Sequence, residues 1–319
     1  MNFDARFVVV ILAAFAAANI AGSLASLWQW RRVTAPSAPV DRARFLFHLR
    51  LLPLVSGVAW ATLAMGSFIL FEPRGDGERI GATLPAISTI GAALCTAALA
   101  RLALTMRRHR TLLRAWLRDA RPIALDGVSI PAVVIQCAFP VVAVVGVLRP
   151  RLVVAQQVLD TCSPEELTAI LAHERVHIRR HDNLRRVLLL ALPDPLAWLP
   201  LGRAMDLAWH DAAEQVADEA AGEVRGDAGR VALAGALVRL ARLVPEGEAS
   251  ETMNGLPASA LYRGEPLEAR VRRLLDPIPP RPRAPRHYQW AALAGVLALA
   301  IILLNPIHEL LEAAVTLLP

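Results

Sequence analysis

The sequence contains no lysine, since all 34 of its basic residues are arginine. Cysteine is scarce: Cys95, Cys137 and Cys162 have neither the paired spacing of a disulfide framework nor the spacing of a cysteine zinc site. Aromatic residues make up only 5% of the chain and do not interleave with the arginines. The high positive charge therefore does not indicate direct binding of nucleic acid.

Hydrophobic residues, in contrast, make up 55% of the 319 residues. A helix needs about 20 apolar residues to cross a bilayer. Three segments reach that length and a fourth is shorter but very apolar: Phe7–Trp28, Leu51–Phe71, Ile80–Ala100 and Tyr288–Leu304. The first has no substantial basic leader, so we expect it to be retained rather than cleaved as a signal peptide.

The arginines cluster at particular ends of these segments. They are dense between the first two segments, after the third and before the fourth, whereas the stretch 72–79 is close to neutral. Basic residues are retained on the cytoplasmic side of a membrane. We therefore expect a multi-pass protein of a bacterial inner membrane, with both termini outside and residues 101–286 in the cytoplasm.

One short motif carries the chemistry, namely His173-Glu174-Arg175-Val176-His177. Histidines four residues apart lie on one face of a helix, where both imidazoles can bind one zinc ion. Glu174 lies about 100° round the helix from His173, close enough to contact a water on that ion. Zinc-assisted hydrolysis of a peptide bond needs this combination. The alternative is a helix whose histidines make ordinary hydrogen bonds.

The third zinc ligand is not evident from the motif. A capping-box pattern at Ser163–Glu166 starts the helix, and a straight helix would place His181 about 12 Å along the axis from His173. His181 is therefore excluded as a ligand. The remaining candidates are Glu214, His210, Asp211 and Asp182. Glu214 and Asp218 share one face of a predicted helix at 203–223, although a solvated acidic face is the alternative.

This region resembles a known family. The segment Ile170–Leu184, followed by the Glu214–Asp218 pair, is similar to the bacterial beta-lactam-sensor-type membrane zinc peptidases (the BlaR/MecR type). The shared pattern is His-Glu-x-x-His-x-x-Arg-x-Asp, met here by His173, Glu174, His177, Arg180 and Asp182. The HtpX-type and CAAX-type membrane peptidases are similar in the same motifs.

The resemblance implies a role for each matching residue. One Zn²⁺ ion per chain would be bound by three ligands: His173, His177 and Glu214. Glu174 would be the general base. Asp218 and Asp182 would hold the ligands from outside, by hydrogen bonds to the imidazoles.

The residue that stabilises the oxyanion stays open. CAAX-type relatives have a histidine-proline element near the end of the domain, and the comparable stretch here has no histidine. The candidates are His210, Tyr262 and Arg263. In similar peptidases the substrate lies as an added strand beside a sheet edge, which the segment 141–154 would supply.

The expected fold is that of a mainly α integral membrane protein. It combines about four transmembrane helices with a cytoplasmic, gluzincin-like α+β zinc-peptidase domain that contains a small sheet. The expected parts are residues 1–104, 105–287 and 288–319. A valine-rich stretch at 129–155 predicts two or three short strands. An apolar stretch broken by prolines, 187–201, predicts a hairpin near the membrane between the two metal-binding helices.

The expected function is that of a regulatory zinc endopeptidase. Its substrate would be a protein or peptide, such as a cytoplasmic transcriptional repressor or the chain itself. The alternatives are an HtpX-type peptidase that clears damaged membrane proteins, and a non-enzymatic scaffold that keeps a zinc fold. The beta-lactam sensors carry a penicillin-binding domain, but this chain has no Ser-x-x-Lys element, so we expect no covalent binding of beta-lactams. The oligomeric state stays open.

Overall fold

Three long helices form the N-terminal part of the computed structural model, which describes residues 3–32, 38–71, 81–137, 139–244 and 266–276. These helices are α1 (Phe3–Arg32), α2 (Pro39–Phe71) and α3 (Thr83–Leu117). Each is long and apolar enough to cross a membrane, and α1 packs against both α2 and α3. They correspond to the first three predicted segments. The fourth, Tyr288–Leu304, lies outside the described residues.

A small mixed sheet follows α3. Its strands are β1 (Arg121–Ile123), β2 (Ala132–Ile135), β3 (Val142–Val145) and β4 (Arg151–Ala155). Their order is β1-β2-β4-β3, with β2 and β4 parallel and the two outer pairs antiparallel. The predicted valine-rich stretch supplies three of the strands. β1 was not predicted because three residues that include a proline carry no alternating pattern.

Six further helices complete the described chain. They are α4 (Gln156–Thr161), α5 (Pro164–Arg179), α6 (Asp182–Ala191), α7 (Pro200–Arg225), α8 (Asp227–Ala241) and α9 (Leu267–Leu275). α5 packs against α7, and α8 packs against α5, α7 and α9. Side chains from the sheet, α5, α8 and α9 share one hydrophobic core. The small α+β domain expected from the sequence is therefore present beside the long helices.

Tertiary contacts extend two of the long helices beyond their apolar segments. α2 begins at Pro39 rather than at Leu51, and α3 runs from Thr83 to Leu117 rather than over Ile80–Ala100. α2 packs against α7, and α3 packs against α6. The helix ends are consequently set by contacts with the α+β domain, which hydrophobicity alone does not predict.

Local signals set both ends of α5, and the predicted capping box is present at its start. The Glu166 N–H donates to Ser163 Oγ at 3.3 Å, and the Ser163 N–H donates to the Glu166 carboxylate at 2.8 Å. At the other end, His181 has a φ of 53°, a left-handed conformation that turns the chain into α6. His181 is exposed, as expected for a residue that is not a ligand. The reason differs from the prediction, because α5 does not continue straight but ends at Arg179.

The stretch 187–201, predicted as an apolar hairpin, comprises the last turn of α6, a compact connection and the start of α7. It contains a 3₁₀ turn at Pro195–Trp198, and Asp194 caps that turn by accepting the Ala197 N–H at 3.1 Å. α7 begins directly afterwards and passes very close to the turn. A Cβ atom at Gly202 would lie 1.9 Å from the carbonyl oxygen of Leu196, so only glycine fits there.

Buried charges join this connection to the long helices. Arg50 of α2 is fully buried, and its Nε donates to Asp206 at 2.7 Å while its Nη1 lies 3.3 Å from Asp194. Arg101 of α3 donates to backbone carbonyls of the connection, including that of Leu192 at 2.8 Å. These contacts fix the positions at which α6 ends and α7 begins relative to α2 and α3.

Replacing Arg50 by leucine is expected to destabilise the protein by about 3–5 kcal/mol, because Asp194 would stay buried without its cation. The free energy of unfolding can be measured by denaturant titration of the purified protein in detergent micelles. Arg31→Leu is the matched control, since Arg31 is exposed at the end of α1. An Arg50→Leu protein as stable as the wild type would show that these ion pairs do not hold the helices together.

Candidate metal centre

The two histidines of the motif face each other inside the protein. His173 and His177 lie one turn apart on α5, and both are buried. Their Nε2 atoms are 3.2 Å apart, and their rings meet edge to face with centroids 4.9 Å apart. Neither imidazole is turned towards solvent, so the helix presents two nitrogen ligands to one interior point.

Glu214 of α7 completes a group of three. Its Oε2 lies 3.4 Å from His173 Nε2, and its Oε1 lies 3.4 Å from His177 Nε2. Ligands about 2.0–2.1 Å from a tetrahedral zinc ion are about 3.3 Å from one another. One oxygen of Glu214 therefore lies beside each imidazole nitrogen, and the three side chains are close enough together to hold one metal ion.

Two other candidates, His210 and Asp211, are not members of this group. Within the described part of the chain, the His/His/Glu group is the one cluster of its kind, and it includes neither His210 nor Asp211. The His210 ring packs against Trp209, with centroids 5.0 Å apart. Tyr262 and Arg263 lie outside the described residues, so the choice of oxyanion residue stays open.

A carboxylate lies on the outer nitrogen of each histidine. Asp218 Oδ1 is 3.0 Å from His173 Nδ1, and Asp182 Oδ2 is 2.8 Å from His177 Nδ1. Each of these carboxylates accepts the Nδ1 proton, so that Nε2 is left to bind a metal. The structure thus places one aspartate beside each of the two histidines.

Glu174 lies on the other flank of α5, beside the sheet. It is buried, and its Oε2 accepts a hydrogen bond from the Val144 N–H at 3.3 Å. In β3 the Val141 carbonyl pairs with the Ala155 N–H of β4. Peptide groups alternate in direction along an antiparallel strand, so those of Val142 and Val144 point away from β4. Glu174 consequently lies at the free edge of the described sheet.

Asn183 was not singled out by the sequence. Its side-chain amide donates to the carbonyls of Val144 at 2.8 Å and Gly146 at 3.1 Å. It therefore ties the start of α6 to the same strand that holds Glu174. The sequence shows only an asparagine directly after Asp182. It does not show that the partners of Asn183 are backbone carbonyls of a distant strand.

Two buried arginines were also missed. Arg270 of α9 donates to both oxygens of Asp218, at 3.1 and 2.6 Å, and its Nη1 lies 3.5 Å from Glu214. Arg186 of α6 lies 3.5 Å from the other Glu214 oxygen. Arg270 occupies the apolar face of α9, between Leu267 and Leu274, and a charge on such a face must meet a partner. That pattern could have indicated its role.

These contacts set the charges of the centre. Burial disfavours a charged imidazole, but hydrogen bonds with Asp218 and Glu214 overcome it and raise the pKa of His173 to about 9. Burial also opposes ionisation of Asp218, yet Arg270 and His173 lower its pKa to about 2. The pKa of Glu214 is likewise held well below its usual range, against burial, by His177, His173 and Arg270. Both carboxylates are therefore ionised at neutral pH.

Part of the chain matches a known protein family. Residues 83–228 match the family model described as BlaR1 peptidase M56, which confirms the resemblance carried by the motifs. The matched segment begins with α3 and ends just inside α8, so it contains the whole His/His/Glu group but not Arg270. The comparison with curated proteins gave no match.

Zinc affinity is expected to rise by about tenfold per pH unit between about pH 6 and 8, because zinc must displace one proton from His173 below pH 9. Competition with a chelator of known affinity measures this slope. In Asp218→Asn the imidazolium loses its anionic partner, so the pKa of His173 falls and the slope at neutral pH should flatten. A wild-type affinity that does not vary with pH would contradict the charge state described here.

Replacing Arg270 by methionine is expected to weaken zinc binding by about 10–100-fold, because Asp218 would lose the cation that keeps it ionised and aligned with His173. The measurement is a zinc titration of each purified variant at one pH. Arg272→Met on the same helix is the matched control, since Arg272 is exposed and pairs with Glu268. Equal affinities of the two variants would remove the assigned role of Arg270.

Proposed function

We propose that this chain, whose residues 83–228 form a membrane peptidase domain of the BlaR1 M56 type, is a zinc-dependent endopeptidase. The observation that carries the proposal is that the Nε2 atoms of His173 and His177 lie 3.2 Å apart, each with one oxygen of Glu214 at 3.4 Å. The metal that fits a buried set of two imidazoles and one carboxylate is zinc with an open fourth position. The long helices attach this centre to a membrane.

The chemistry divides between the metal and Glu174. Held by His173, His177 and Glu214, a zinc ion would supply a water that loses its proton near neutral pH and would polarise the carbonyl group of the substrate. Glu174 accepts the proton of the attacking water and passes it to the leaving amine. The Glu174 carboxylate accepts a hydrogen bond from the Val144 N–H at 3.3 Å, and this bond holds it beside the site. Asp218 and Asp182 keep the imidazoles in the tautomer that binds metal.

The edge of β3 is the proposed platform for the substrate. The outward N–H and carbonyl of Val144 are already bonded to Glu174 and Asn183, so a peptide would pair with this edge at Val142, next to Glu174. The peptide groups of Val142 point in the same outward direction. Backbone pairing fixes the peptide in extended form and leaves its side chains to select the cleavage site.

The proposed biological role is regulation from the cytoplasmic membrane face. The match to a BlaR1-type peptidase domain supports cleavage of a cytoplasmic repressor, or of the chain itself, in response to a signal. The arginine distribution supports a cytoplasmic position for the domain.

Glu174→Gln is expected to lower peptidase activity by about 10²–10⁴-fold with unchanged zinc content. Glutamine can still accept the Val144 N–H but cannot take up a proton, so the site stays assembled. The measurement pairs a cleavage assay with zinc analysis of the same sample. Glu268→Gln, at an exposed glutamate of α9, should behave as the wild type. Equal cleavage by wild type and Glu174→Gln would leave only a scaffold role.

Two alanine variants of α7 separate the third ligand from its neighbours. Glu214→Ala should lose zinc, whereas Asp211→Ala should keep it, because Asp211 is not part of the ligand group.

Mapping of new protein N-termini in cells with wild-type or Glu174→Gln protein tests the proposed regulatory role. Regulation predicts that one or a few cleavage sites disappear in the variant. Loss of sites in many membrane proteins would instead show an HtpX-type function.

A further inference from the structure

We propose that an anionic phospholipid binds beside the metal centre. Its headgroup would lie among Arg44, Arg180 and Arg185, and its acyl chains would lie along the outward leucines of α6. The argument rests on an excess of positive charge and on an apolar face directly next to it. The leucine face and Arg44 take no part in the proposed peptidase chemistry, and Arg180 and Arg185 contact the centre only through Asp182.

Two arginines lie against one carboxylate, and a third, Arg44 of α2, lies nearby. Arg185 Nη1 is 3.0 Å and Arg180 Nε is 3.7 Å from the same oxygen of Asp182. The other oxygen of Asp182 is already bonded to His177. One carboxylate therefore serves two arginines and a histidine, which leaves positive charge uncompensated.

The remaining arginine comes from α2. Arg44 lies one turn before Phe47, and the Arg185 guanidinium lies over the Phe47 ring at 5.6 Å. The pKa of Arg180 is lowered, first by burial and then, against the effect of Asp182, by the charges of Arg185 and Arg44. Arg44 pairs with Asp41 at 3.7 Å, and both side chains are partly exposed. This ion pair therefore offsets little of the positive charge of the three arginines.

The faces of α6 are inverted relative to a soluble helix. Its buried residues include Asp182, Asn183 and Arg186, whereas Leu184 and Leu188 are 42% and 40% exposed. The following turn exposes Trp198 at 62%. In a chain with membrane-spanning helices, such a face lies against lipid, with tryptophan at the interface.

The positively charged Arg185 lies directly beside the exposed leucines of α6. Arg185 follows Leu184 directly and precedes Leu188 by three residues, so it borders the leucine face on the side of α2. A phosphate held by these arginines would have its acyl chains beside the leucines. A phospholipid satisfies both features at once, whereas free phosphate satisfies only the first.

The test compares lipid binding by the full chain in detergent micelles with native mass spectrometry. The probes are phosphatidylglycerol, phosphatidylcholine and inorganic phosphate. The wild type should retain phosphatidylglycerol in preference to phosphatidylcholine. Arg44→Gln and Arg185→Gln should each weaken that binding by about fivefold. Arg114→Gln, at an exposed arginine of α3, should leave it unchanged.

Three results would overturn the proposal. These are equal retention of the two lipids, equal loss in Arg44→Gln and Arg114→Gln, and displacement of phosphatidylglycerol by an equal concentration of inorganic phosphate. Arg185→Gln removes a contact of Asp182 and could disturb the metal centre, so the zinc content of this variant is measured as well. Arg44→Gln is free of this problem, because Arg44 pairs with Asp41 rather than Asp182. Glu174→Gln should bind phosphatidylglycerol like the wild type. The lipid-binding proposal and the peptidase proposal are therefore tested by different measurements, and one can be wrong while the other holds.

Discussion

The packing of α5 against α7 is the contact on which the site depends. It places two imidazole nitrogens within 3.4 Å of one carboxylate, and no single helix could supply all three ligands. The short 3₁₀ turn between α6 and α7 limits how far α7 can shift, because Gly202 lies against Leu196. Arg50 and Asp194 then anchor that turn to α2. The ligand geometry is thus maintained from the membrane side as well as from within the domain.

Charge compensation makes this packing possible. Four acidic side chains, of Glu174, Glu214, Asp218 and Asp182, are buried around two histidines. Such a group would be unstable unless cations shared the same interior. Arginines of α6 and α9 provide them, which explains why the centre needs elements on both sides of α7. It also explains why the carboxylates stay ionised and able to bind a metal despite their burial.

The sequence predicted the features that follow from local rules. Helix periodicity alone places His173 and His177 on one face, and the capping box predicts where α5 begins. The pairing of Glu214 with the histidines required the family resemblance, because nothing within α7 specifies which carboxylate faces α5. The apolar surroundings of Arg270 in the sequence indicate only that it needs a buried partner, and neither that partner nor the contacts of Asn183 could be predicted, since each depends on how distant elements pack. The same applies to the ends of α2 and α3.

The position of Arg270 has a consequence for synthesis of the protein. It lies 52 residues after Asp218, the carboxylate that it neutralises. Chains emerge from the ribosome in order, and domains fold once their parts are available. The ligand helices therefore leave the ribosome well before the cation that completes their surroundings. A nascent chain that stops short of α9 carries every residue of the motif without Arg270, which helps to keep Asp218 charged, so full assembly of the buried His/His/Glu group is delayed until late in translation.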